Sequence, residues 1–93
     1  MNVIFVSSLI EELRKLLTEP EYKPKTDEHM ELMNWCLTEA EKLSFNSWFF
    51  FVNNKKKEKL RWYINHFSGL YCKNDKDYER LKNIVKKHIH NGV

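Results

Sequence analysis

Apolar residues recur at intervals of three and four through most of this chain, the signature of amphipathic α-helices. Val3, Val6, Leu9, Ile10, Leu13, Leu16 and Leu17 form the first series, with Glu11, Glu12, Arg14 and Lys15 mostly opposite. At about 100° per residue the apolar members fall within one arc. The helix starts either early, capped by Asn2, or later at a capping box of Ser8 and Glu11. Pro20 closes it, and Glu19-Pro20-Glu21-Tyr22-Lys23-Pro24-Lys25 reads as the clearest loop. Thr26 suits the N-cap of a second helix, with Asp27 and Glu28 at its positive end. Its buried stripe is Met30, Met33, Cys36, Leu37, Ala40 and Leu43.

Ser44-Phe45-Asn46-Ser47 offers capping residues and marks a break. A third segment runs from about Ser47 to Cys72, with an interruption at Asn53-Asn54 and a stripe of Leu60, Tyr63, Ile64, Phe67 and Tyr71. Lys73-Asn74-Asp75-Lys76 is a turn, after which Asp77 caps the last helix. Tyr78, Leu81, Ile84, Val85, His88 and Ile89 give that helix its inner face, and Gly92 suits its end. Four such segments with short connections predict an all-α fold, a small four-helix antiparallel bundle formed by residues 1–93 as one domain. The alternative is an α+β fold in which Val3–Val6 and Phe49–Val52 pair as a short two-stranded element, since these residues favour strands.

Composition narrows the class. Only two Gly and two Pro occur among 93 residues, which argues against a turn-rich β-sandwich or a disordered tail. No stretch approaches the ~20 apolar residues that span a bilayer. The first residues lack the basic region of a signal peptide. Cys36 and Cys72 are the two cysteines, with no CxxC spacing, so the expectation is a reduced, cytoplasmic protein.

The net charge of +3 hides an asymmetry. Residues 1–46 hold five Lys/Arg against nine Asp/Glu, a balance of −4, whereas residues 47–93 hold eleven against four, a balance of +7. An acidic or nucleic-acid partner would explain this; so would acidic and basic helices facing each other inside one bundle.

Several residues do not fit a plain bundle. Trp48-Phe49-Phe50-Phe51-Val52, continued as helix, sweeps about 400° and cannot be buried on one face. An exposed aromatic patch marks an interaction surface, so Trp48, Phe49, Phe50 and Phe51 are candidates for contact with a protein partner or a second copy of the chain. Trp62 lies about 160° from Leu60, beside Lys59 and His66, and Trp35 sits at the edge of its stripe among Glu28, Glu31 and Glu39. The run Lys55, Lys56, Lys57 and Lys59, continued by Arg61, is the best polyanion candidate, because such cations neutralise phosphates beside a stacking aromatic.

Catalytic patterns are sparse. Arg61 and His66 stand at the Arg-x4-His spacing of the helical HEPN ribonucleases, and in that respect the chain resembles them. Residues five apart on one helix diverge by about 140°, however, and Trp62 replaces the polar residue usual after that family's arginine. His29, Cys36 and His88 lack the local spacing of zinc ligands. No cofactor or small-molecule substrate is implied. In size, basic charge and helical layout the chain is loosely similar to bacteriocin immunity proteins and phage-encoded host inhibitors. That resemblance implies a small non-enzymatic protein acting as inhibitor, adaptor or immunity factor by occupying a macromolecular partner. The alternatives are nucleic-acid binding through residues 55–61 and, more remotely, a HEPN-like ribonuclease.

Overall fold

Among the described residues helices dominate a computed structural model of the chain, with three very short strands before, between and after them. The order is β1 (Asn2–Ile4), α1 (Val6–Leu17), α2 (Asp27–Lys42), β2 (Phe50–Phe51), α3 (Asn54–Tyr71), α4 (Asp75–Lys87) and β3 (Ile89–Asn91). The structure describes the backbone of residues 2–4, 6–43, 50–51 and 54–91, and the side chains of 6–43 and 58–88.

The helical stripes read from the sequence are the ones that bury. Val6, Leu9, Ile10, Leu13 and Leu16 of α1 meet Met33, Cys36, Leu37 and Ala40 of α2 and Leu60, Ile64, Phe67 and Tyr71 of α3 in one core. Burying each large aliphatic side chain gains about 1.5–3 kcal/mol, so this stripe supplies most of the drive to fold. Contacts run from α1 to α2, α2 to α3, α3 to α4 and α4 back to α1, closing a four-helix bundle. The α2–α3 contact is the most extensive, and α4 contributes only Leu81 as a fully buried side chain.

Local chemistry sets several helix ends. Thr26 Oγ1 accepts from the His29 backbone N–H at 3.1 Å, capping α2 as its sequence predicts. The cap of α4 falls three residues earlier than expected. Asn74 is the N-cap, its Oδ1 accepting from the Asp77 N–H at 3.0 Å, while Asp77 Oδ2 accepts from the Lys73 N–H at 2.9 Å. Asp77, at the third helical position, thus reaches back past the cap to the residue before it, as a relative of the capping box.

The first helix starts at Val6, later than an Asn2 cap and earlier than a Ser8 cap, because Asn2–Ile4 is extended. β1 is the middle of a three-stranded sheet in the order β2-β1-β3. It runs antiparallel to β2, with Val3 opposite Phe51 and Ile4 opposite Phe50. It also runs antiparallel to β3, with Asn2 opposite Asn91, Val3 opposite His90 and Ile4 opposite Ile89. The short strand pairing weighed as the alternative is thus present beside the bundle, with a third strand added. Helical spacing does not continue through Val3, Phe50–Phe51 or Ile89, and α4 ends at Lys87. Gly92 and the break at residues 44–47 lie outside the described residues.

Charge asymmetry between the halves is partly consumed inside the molecule. Arg80 of α4 makes a two-pronged pair with Glu19 at 2.6 and 3.2 Å, and Lys87 reaches Glu12 at 2.8 Å. Between α1 and α2, Arg14 pairs with Glu41 at 2.8 Å. The loop after α1 is held by Tyr22, whose ring stacks on Tyr71 at 4.6 Å and whose hydroxyl donates to Met33 Sδ at 3.4 Å. Lys73 Nζ donates to the Lys23 carbonyl at 2.6 Å, tying that loop to the α3–α4 turn.

Candidate functional site

The α2–α3 pairing brings together aromatic residues that are far apart in sequence. Trp35 stands about 100° beyond Cys36, the nearest edge of the buried arc of α2. Trp62 likewise stands off the arc of α3, on the flank turned towards α2. Their rings meet edge-on, with centroids 6.4 Å apart. Tyr63 wedges between them, 5.7 Å from Trp35 and 5.2 Å from Trp62, both edge-to-face. His66, one turn after Trp62, lies against its indole with ring centroids 3.9 Å apart. Edge-to-face pairs of this kind add about 0.5–1.5 kcal/mol beyond area burial, so the rings hold one another in place.

This interlocked cluster is not covered. Trp35 is 47% exposed and Trp62 is 49% exposed. Leu32, one turn before Trp35 on the same helix, is 49% exposed as well. Trp35 and Trp62, in ring contact across two adjoining helices, make one exposed apolar surface, with Leu32 a turn away on the flank of α2 that carries Trp35. Around it the charges are mixed. Glu28 and Glu31 are exposed on the Trp35 flank of α2, whereas Lys59 is exposed beside Trp62. Gly69 falls two turns after Trp62 on the same stripe, and a Cβ built there would meet nothing within 4 Å.

Of the residues singled out from the sequence, Trp62, Lys59 and Arg61 are exposed on α3. Arg61 and Lys59 diverge by about 160°, so they do not act as one patch. Lys55, Lys56 and Lys57 lie in the first turns of α3, and their side chains are outside the described residues. The aromatic turn needs correction. Phe50 and Phe51 are strand residues paired with β1, so the all-round sweep of a helix does not apply to them. Trp48, Phe49 and Val52 lie outside the described residues.

Arg61 and His66 are not brought together either. α3 is one unbroken helix through both, and His66 packs on Trp62. His29 Nδ1 sits 2.8 Å from Thr26 Oγ1, Cys36 is in the core, and His88 pairs with Glu12. Among the described residues no three His, Cys, Asp or Glu side chains gather where a metal ion could be held.

By its spacing Tyr63 belongs to the inner stripe of α3, and Leu32 stands off the stripe of α2. The signal for both was available: Leu32 and Trp35 are three apart, and Trp62 and His66 are four apart, each pair therefore on one flank. What could not be read was that the two flanks meet. Among known proteins, no family model, curated protein or solved structure matches the chain.

Proposed function

We propose that this chain is a small non-enzymatic binding protein that occupies a protein partner through the Trp35–Trp62–Tyr63 face of α2 and α3. The carrying observation is that face itself: mutually locked aromatics left about half in water. Trp and Tyr dominate binding hot spots because they desolvate a large area at little entropic cost, and here their rotamers are already restrained. An inhibitor, adaptor or immunity factor needs nothing beyond such a shaped surface.

The mixed charge around the rings favours a protein over a polyanion. A platform for unpaired bases requires positive surroundings, whereas Glu28 and Glu31 border Trp35. Nucleic-acid binding by Lys59 and the preceding lysines, with Arg61 on a separate flank, is the second reading, favoured by the absence of an ion pair at Lys59 among the described residues.

The test is affinity capture from the native host by the wild-type chain and by Trp35→Ala/Trp62→Ala, with and without nuclease. The expected result is a protein recovered by the wild type, resistant to nuclease and lost with the double variant, whose helical content stays unchanged. Equal recovery by both proteins would remove the aromatic face from the function. Capture abolished by nuclease would transfer the function to the basic residues.

A further inference from the structure

On the opposite flank of α3 from Trp62 the bundle is open. α3 and α4 flank a recess of about 280 Å³ lined by Ile64, Ser68, Tyr78, Leu81, Val85 and the two lysines Lys82 and Lys86. Leu81 forms its floor, Val85 is half-buried, and Tyr78 is 50% exposed at one side. The volume is just below the range of small-ligand pockets, about 300–1,000 Å³, and is enough for a few anchoring side chains.

Charge on α4 is sorted by direction. Arg80 and Lys87 point back to the first half of the chain and are neutralised by Glu19 and Glu12. Lys82 and Lys86 border the recess and have no ion pair among the described residues. They stand one turn apart, an arrangement of like charges that destabilises a helix by about 0.2–0.5 kcal/mol. The acidic residues on that outward flank, Asp75 and Glu79, belong to the first turns of α4 and do not line the recess.

We infer that the α3–α4 recess is a second docking site, and that its occupant is an acidic amphipathic helix of a partner protein. Apolar side chains three or four apart on that helix enter the recess over Leu81 and Val85. Carboxylates on its margin meet Lys82 and Lys86. Helix-in-groove recognition works in this way, with anchors supplying affinity and rim charges supplying orientation. The site is separate from the α2–α3 aromatic face and does not depend on that face being functional.

The probe is a displayed library of random 16-residue peptides, selected on the full-length folded chain at low salt. Enriched peptides are then synthesised and titrated by fluorescence anisotropy. The expected winners combine Asp or Glu with Leu, Ile or Phe at helical spacing. They should bind Lys82→Gln/Lys86→Gln at least about tenfold more weakly than the wild type, and Trp35→Ala/Trp62→Ala equally well. Gln matches Lys in helix propensity, so the variant keeps its fold. Neutral or basic winners, no enrichment, or unchanged affinity for the Gln variant would overturn the assignment. Peptides lost only on the Trp variant would place peptide binding on the aromatic face alone. Self-association of the wild type that disappears in the Gln variant would make the occupant a second copy and overturn the partner-helix assignment.

Discussion

Glu12 and His88 stand 76 residues apart in the chain, yet Glu12 Oε2 and His88 Nε2 lie 2.5 Å apart. An ionised carboxylate can only accept, so His88 donates. Lys87 holds the other oxygen of the same carboxylate at 2.8 Å. Together they fasten α1 to the end of α4, at the point where the chain leaves the helix for β3. Among the described residues α4 is also tied to the rest of the bundle by Leu81, Ile84 and Val85 against the core and by the Arg80–Glu19 pair, and this junction adds the fastening at its C-terminal end.

Hydrogen bonds from Lys87 and then from His88 hold the Glu12 carboxyl below its ordinary value. A depressed carboxyl contributes stability that is fully present above the unfolded value, about 4.3–4.5, and is lost as pH falls through the folded one. Glu12→Gln should cost about 1 kcal/mol at pH 7, given that the pair is partly exposed. Urea melts of both proteins at pH 7 and pH 3 check this. The gap should narrow at the lower pH, and an undiminished gap would point to lost packing.

Trp62 and Phe67 should separate surface from core. Phe67 is fully buried and stacks on Tyr71 with centroids 5.7 Å apart, so Phe67→Ala should cost about 3–5 kcal/mol. Trp62→Ala should cost less, about 1–3 kcal/mol for its two edge-to-face contacts at about 0.5–1.5 kcal/mol each. Denaturant melts measure both. A Trp62 loss as large as that of Phe67 would make the aromatic cluster a part of the core.

Gly69 offers a cleaner test of the exposed stripe. A Cβ at this position would have nothing within 4 Å, so no contact inside the chain needs a glycine in this helix. Gly69→Ala should therefore stabilise the fold by about 0.5–1 kcal/mol. For a domain of this size that is a rise of roughly 2–8 °C in Tm. A fall in Tm would reveal a steric demand at this turn.

The Cys72 thiol is pushed up to about 11, first by burial and then by the neighbouring Asp77 carboxylate. From a starting value of 9.0 this lowers the thiolate fraction at pH 8 by about a hundredfold. Cys36 is raised as well, by burial alone. Both thiols should react with a thiol-specific reagent far more slowly in the native protein than in urea. Cys72 reacting at the free-thiol rate would mean that the α3–α4 turn opens readily.

The helical stripes were legible because burial on one face of a helix imposes a local rule. Leu9, Ile10, Leu13, Met33, Leu37, Phe67 and Leu81 announce themselves by spacing alone, as does the Thr26 cap by residue type. The sheet is different in kind. Its strands are two or three residues long, and β1 pairs with partners about 50 and 90 positions away. No local period distinguishes Val3-Ile4 from the first turn of α1, so only the meeting of distant segments makes it a strand. The same holds for function. Sequence alone marked Trp35 and Trp62 as lying off their stripes, and marked a basic second half. Tertiary structure decided that the two tryptophans share one surface, that Arg80 and Lys87 are spent on Glu19 and Glu12, and that Lys82 and Lys86 have no ion pair among the described residues. Helix periodicity says which way a side chain leaves its own axis; what it then meets depends on how the axes pack.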